Sequence, residues 1–143
     1  MSFVEKFMGK EDHAMLEHLG QIAQNAAQKF GDREALIFEG TPYTYNQLNE
    51  MVEKVAGGLE SIGIEKDNVV TLYASNCWEW VVSYFAIARI GAVINPLNTM
   101  LTPSEIEYVA NDCGAKAIIT SEDKAPSLLP LKSKTGLETI ISF

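Results

Sequence analysis

Residues 77–90, CWEWVVSYFAIARI, constrain the fold of this chain more than any other stretch. Apolar side chains point in nearly every direction around a helix there: Trp78, Trp80, Val81, Val82, Tyr84, Phe85, Ile87 and Ile90. A surface helix carries a single apolar stripe, whereas one that is apolar all round has to be covered on both sides. In a three-layer domain one side of this helix would face water, so the sequence requires a second layer of partners beyond the sheet it packs on.

The flanking sequence supplies that sheet. Residues 68–74, 92–95, 116–120 and 138–143 read as strands, separated by helical patterns, and this alternation argues for parallel βαβ units. Thr102 opens one of the helices with Pro103 at its first position and Glu105 three residues after the cap, so the missing donor and the reciprocal capping bonds agree. Ile106, Val109, Ala110 and Cys113 form its buried face and Gly114 closes it; residues 126–131 make a short helix at best.

Upstream, Leu16, Leu19, Ile22, Ala23, Ala26 and Phe30 keep helical spacing up to Gly31. Residues 35–38 and 42–44 read as a hairpin around Glu39, Gly40 and Thr41. Thr44 caps a further helix, with Gln47 returning the bond and Leu48, Met51, Val52, Val55, Leu59 and Ile62 as its apolar stripe. Gly57 and Gly58 fall inside that helix, where close packing explains them better than phosphate binding. The fold class is therefore α/β: a partial doubly wound parallel sheet preceded by a short N-terminal helix and a hairpin. Residues 1–14 form a loose lead-in, and residues 15–143 one α/β portion. The last residues, ETIISF, run apolar to the end, as expected of a chain cut inside or just after a strand.

Composition narrows the partners. Nineteen acidic against eleven basic residues give a formal charge of -8, which repels a phosphate backbone, so nucleic acid is not an expected partner. The amino terminus lacks an apolar export core, and the longest apolar run, near residues 80–94, is broken by Ser83 and Arg89. A soluble, cytoplasmic chain with no transmembrane segment is expected. Cys77 and Cys113 could pair, but without a secretion signal two cysteines in a domain of this size read as free thiols.

The known signatures for phosphate loops, dinucleotide turns, nucleophile elbows and zinc helices are missing from these residues. His13 and His18 are five apart and do not share a helical face, so no metal site is expected. Asn76 has the shape of an N-cap with Glu79 following. At residues 95–98, NPLN, a strand leaves the sheet at its carboxyl end, stopped by Pro96, and ligands of open parallel sheets gather at such ends.

Two runs carry more than structure. FAIARIGAVINPLNTMLTPSEIEYVA at residues 85–110, with TYNQL at 44–48, resembles the amino-terminal part of the adenylate-forming acyl-CoA synthetases. This AMP-binding superfamily holds acid–CoA ligases, adenylation domains and luciferases, and the resemblance runs from residue 19 to 143. It implies ATP, Mg2+ and CoA as the parent enzyme's reactants and cofactors, and a chemistry in which a carboxylate is adenylated and then passed to a thiol. It also implies that the all-round apolar helix lies between two sheets of a five-layer body. In CoA ligases related by fold, the loop after the NPLN strand nears the CoA nucleotide, which here marks Asn98, Thr99 and Met100 as candidates for the CoA channel; the match is by position, with plain loop geometry as its alternative.

The same resemblance places the phosphate-cradling loop beyond Phe143, so no catalytic residue is expected here and no cofactor should bind these residues tightly. The expected partners are the remainder of the ligase, meaning its further strands and a C-terminal domain, or a second copy. NPLNTMLTPSEIEYV resembles the fatty- and aromatic-acid branches, and the PLDP-type run of peptide-synthetase adenylation domains is absent, while luciferase-like enzymes share this half of the pattern. A competing class is a non-catalytic α/β interaction module docking on a separately encoded ligase portion. A flavodoxin-like nucleotide binder would need a phosphate-holding turn at residues 75–77, where Ser-Asn-Cys is followed by bulky Trp78.

Overall fold

A computed structural model describes residues 18–143. The lead-in over 1–14 lies outside the described residues, as do His13 and Leu16. At His18 the backbone is extended, and a 3-10 turn, Leu19–Gln21, leads into α1, Ile22–Phe30, which ends at Gly31 with a positive φ of 55°. Of the helix predicted from Leu16, the described part opens with a single tight turn at Leu19. That turn sets Gly20 against the backbone of Ala88 and Arg89, where a Cβ has no room.

Strands β1, Glu34–Phe38, and β2, Thr41–Thr44, pair as an antiparallel hairpin. Glu39 and Gly40 form its turn with φ of 48° and 81°, the doubly positive geometry that suits the twist of a two-residue hairpin loop. Helix α2, Tyr45–Ser61, starts at Thr44 with the predicted capping box: the Gln47 N–H donates to Thr44 Oγ1 at 3.2 Å and the Thr44 N–H to Gln47 Oε1 at 2.9 Å. Leu48, Val52, Ala56 and Leu59 are its buried face.

Four parallel strands then form the main sheet in the order β4-β3-β5-β6: β3 is Val69–Tyr73, β4 Val93–Pro96, β5 Ala115–Thr120 and β6 Thr139–Ser142. Pro96, which lacks an N–H, is tolerated because β4 is an edge strand. Alternation across the pleat separates two cores. Val70, Leu72, Ala117 and Ile119 face one side, joined by Val82, Ala86 and Ile87 of α3, Trp78–Arg89, and behind that helix by the buried face of α2. Tyr73 and Ile118 face the other, with Ile106 and Ala110 of α4, Pro103–Cys113, Leu128 of α5, Ala125–Leu128, and Leu131 of the 3-10 turn Leu129–Ser133. Helices on both faces make the body doubly wound.

The layer order is therefore α4 and α5, sheet, α3, then α2. No residue of α3 is exposed, which fulfils the demand of its all-round apolar sequence, and the second cover comes from α2. That cover is incomplete near the edge strand: an open groove of about 600 Å³ runs between α2, α3 and the β5–β6 face, lined by residues such as Val55, Trp78, Ile119, Ile141 and Phe143. Two sequence readings need correction here. An added Cβ at Gly57 or Gly58 meets nothing within 4 Å, so close packing inside these residues does not account for either glycine; both are exposed, and Gly58 borders the groove. The N-cap of α3 is Cys77 rather than Asn76, and it makes no side-chain capping bond, as suits a weakly accepting sulfur.

Helix α4 begins as its sequence requires. Pro103 fills the first turn, Thr102 Oγ1 accepts from the Glu105 N–H at 3.4 Å, and Glu105 Oε2 accepts from the Thr102 N–H at 2.7 Å and its hydroxyl at 2.8 Å. These bonds hold the Glu105 carboxyl below its usual range, the backbone N–H of Thr102 contributing most. Thr102→Ala is expected to cost about 1 kcal/mol and Thr102→Gly only a few tenths, measured by urea denaturation. Because the folded pKa of Glu105 is depressed, its share of that stability is present above the unfolded carboxylate range and is lost as pH falls through the folded value. An unchanged midpoint for Thr102→Ala would place the helix start elsewhere.

Candidate functional site at the carboxyl end of the sheet

From β3 the chain winds through α3 to β4 on one side, and from β5 it winds to β6 on the other, so the direction of winding reverses between β3 and β5. Beyond the carboxyl ends of such a reversal an open parallel sheet leaves a crevice that its loops line. Three segments meet there: Tyr73 at the end of β3, residues 97–102 after β4, and residues 121–124 after β5.

The segment after β4 is tied along its length. The Leu97 N–H continues the ladder to the Leu72 carbonyl at 3.0 Å. Asn98 then makes a tight turn, its Oδ1 accepting from the Met100 N–H at 2.9 Å and its carbonyl from the Leu101 N–H at 3.1 Å. The Tyr73 hydroxyl lies 3.2 Å from the Thr99 carbonyl and 3.1 Å from that of Leu101, and the capping box of Thr102 fixes the far end. Held this way, the loop presents Met100 to solvent at 86% exposure, while Asn98 is exposed and Thr99 half-buried.

Tyr73 itself is buried and set from both ends. The Thr120 hydroxyl, wholly buried, donates to the Tyr73 carbonyl at 2.7 Å, and the Lys124 ammonium sits over the aromatic ring, 5.3 Å from its centroid, within the range of a cation–π attraction. Nearby, Asp123 is held below the ordinary carboxylate range, first by the Ser121 side chain and less by Lys124. Under the β4 end, the Asn95 amide donates to Thr71 Oγ1 at 3.2 Å and to Cys113 Sγ at 3.4 Å.

All three sequence candidates, Asn98, Thr99 and Met100, thus fall on one anchored loop at the winding reversal. Tyr73 and Lys124, which complete the cluster, were not legible as site residues, because in VVTLY a tyrosine reads as ordinary strand and its partners are 26 and 28 residues away. The cluster offers a shaped rim, an ammonium and backbone carbonyls, but no nucleophile paired with a base. Burial pushes the Cys77 thiol up, so at neutral pH it stays protonated and unreactive. Cys77 and Cys113 are free thiols. Among the described residues no three His, Cys, Asp or Glu side chains lie together as a metal site would require, and no helix is long and apolar enough to cross a membrane. A larger hollow of about 850 Å³ opens at the opposite end of the sheet beside Lys66, Arg89 and Val93. Its guanidinium is already engaged, by Glu53 at 2.6 Å and Gln24 at 2.8 Å, so size alone does not make it the site.

A parallel sheet wound on both faces, with an anchored loop at its winding reversal, places the chain among the open-sheet α/β proteins. Within that class the chain belongs to the AMP-binding enzyme family, whose model matches residues 23–142. It is similar to the crotonobetaine/carnitine–CoA ligase of Proteus mirabilis, 32% identical over 120 residues, which are 80% of this chain and 23% of that protein. The mitochondrial medium-chain acyl-CoA ligase ACSF2 of Mus musculus is 34% identical over 111 residues, 76% of this chain and 18% of that one. Among solved structures, the anthranilate CoA ligase AuaEII in complex with anthranoyl-AMP superposes with a TM-score of 0.82 at 26% identity, covering 88% of this chain and 25% of that one. The inhibitor-bound N-terminal domain of FACL13 from Mycobacterium tuberculosis gives 0.83 at 25% identity, covering 90% and 34%. The chain spans roughly a quarter of the length of the curated relatives it matches.

Proposed function

We propose that residues 15–143 are the amino-side α/β portion of an ATP-dependent carboxylic acid–CoA ligase of the fatty- or aromatic-acid type, and that Asn98, Thr99 and Met100 border its CoA channel. One observation carries the reading: the stretch similar to CoA ligases of separate organisms contains the anchored loop at the winding reversal. In the proposed reaction the acid's carboxylate attacks the α-phosphate of ATP and pyrophosphate leaves. The CoA thiol then attacks the acyl-adenylate carbonyl, and AMP leaves with the bonding electrons of the C–O bond. Both steps depend on positioning and on donors for the charge developing at phosphorus and carbonyl. The residues described contribute to positioning: their rigid sheet end fixes where the thiol-bearing nucleotide approaches. Mg2+ would accompany the triphosphate, held chiefly by phosphate oxygens and water, and no step runs through it here. Two free thiols accord with the reducing cytoplasm.

The groove between α2, α3 and the β6 face favours a second reading, an α/β interaction module that docks on a separately encoded ligase portion or on its own copy. The two readings part at gene context: a ligase segment is followed in frame by the phosphate-cradling loop, and a docking module is not. In a full-length ligase carrying this segment, Met100→Trp is expected to raise KM for CoA several-fold, about 1 kcal/mol of lost binding, while acid-dependent pyrophosphate–ATP exchange changes little. Equal loss in both half-reactions would give the loop a folding role only.

A further inference from the structure

The described residues contain one buried side chain that joins all three segments at the winding reversal, and nothing in the proposed chemistry uses it. Tyr73 ends β3, and its ring packs in the core with Ile106, Ile118 and Leu128. Its hydroxyl reaches the carbonyls of Thr99 and Leu101 on either side of Met100. A phenol has a single hydrogen, so the two carbonyls share one donor. Their near-equal distances, 3.2 and 3.1 Å, centre that donor beneath the loop tip. Between Asn98 and Leu101 the other bonds are local and fix the shape of the turn, while at its start the Leu97 N–H is held by the Leu72 carbonyl at 3.0 Å. Beyond Leu97, the Tyr73 hydroxyl ties the far side of that turn to the central strand.

We propose that Tyr73 is a positioning residue for the CoA half-reaction: its hydroxyl sets the height and direction of the 98–100 loop, and so the wall that Met100 presents to the incoming thiol nucleotide. This inference rests on the CoA-side reading of the loop. Phe at this position keeps the ring, its core packing and the face beneath Lys124, and removes only the shared donor. The hydroxyl is thereby tested apart from the fold.

In the full-length ligase bearing this segment, Tyr73→Phe is expected to raise KM for CoA roughly three- to tenfold, the worth of one hydrogen bond, with acid-dependent pyrophosphate–ATP exchange held within about twofold. In the 143-residue chain, the same substitution should speed amide hydrogen exchange at Met100 and Leu101 by a similar factor and leave the strand amides of β3 and β5 unchanged. A rise in KM for CoA together with faster loop exchange supports the proposal. If Met100→Trp raises KM for CoA and Tyr73→Phe does not, the proposal is overturned and the CoA-side reading stands. If neither variant moves it, the CoA-side reading falls and takes the proposal with it. A parallel loss in both half-reactions, or slowed folding with unchanged loop exchange, makes Tyr73 a structural residue only and also overturns the proposal.

Discussion

Gly20→Val is expected to destabilise the fold by between about 1 and 3 kcal/mol, the usual cost of forcing extra carbons into a filled site, whereas Gly57→Ala should leave it unchanged or stabilise it by up to about 1 kcal/mol. The opposite signs follow from what a side chain would meet. A Cβ on Gly20 falls 2.5 Å from the Ala88 carbonyl oxygen and 2.8 Å from the Arg89 α-carbon. Both are backbone atoms of α3 and its end, with no rotamer through which to yield. Displacing the turn also pulls on Arg89, which donates to the Gly20 carbonyl at 3.4 Å and to Gln24 at 2.8 Å while pairing with Glu53. The substitution therefore loosens the contact of α1 and α2 with α3 at once. At Gly57 the same added carbon finds nothing within 4 Å, and helix propensity alone decides. Urea denaturation of the two variants beside the parent chain checks both signs; equal effects would mean that the close approach at Gly20 is not a feature of the folded protein.

The same two glycines mark where the sequence stops being readable. Bonds between residues three or four apart leave a local trace, so the boxes at Thr44 and Thr102, the hairpin turn at Glu39 and Gly40, and the apolar periodicities were legible. The all-round apolar character of residues 77–90 announced that α3 needs two covers. Its second cover, α2, begins more than thirty residues upstream in sequence, and no local pattern names it. Gly20 and Gly57 look alike in a one-dimensional string, since close approach is a property of the partner's backbone and not of the glycine. Tyr73 and Lys124 escaped for the same reason: one reads as strand propensity and the other as a solvated charge, until the sheet order brings the ends of β3 and β5 together. The cap of α3 was misplaced by one residue because Asn76 is the stronger capping type, yet Cys77 has the extended backbone that a cap position demands.

The account assigns these residues to the CoA-facing scaffold of a ligase and assigns ATP activation to groups that are not among them. The 143 residues carry a net charge of -8 and no glycine-rich loop followed by lysine. The ammonium at the winding reversal, Lys124, is neighboured in sequence by Glu122 and Asp123. Holding a triphosphate there would desolvate its charge without compensating donors, so ATP should bind no better than on the order of millimolar. The most direct test is isotope exchange between pyrophosphate and ATP, run on the purified 143-residue chain with a panel of fatty and aromatic acids. The account predicts no acid-dependent exchange above the rate without protein, and exchange that rises with added acid would contradict it.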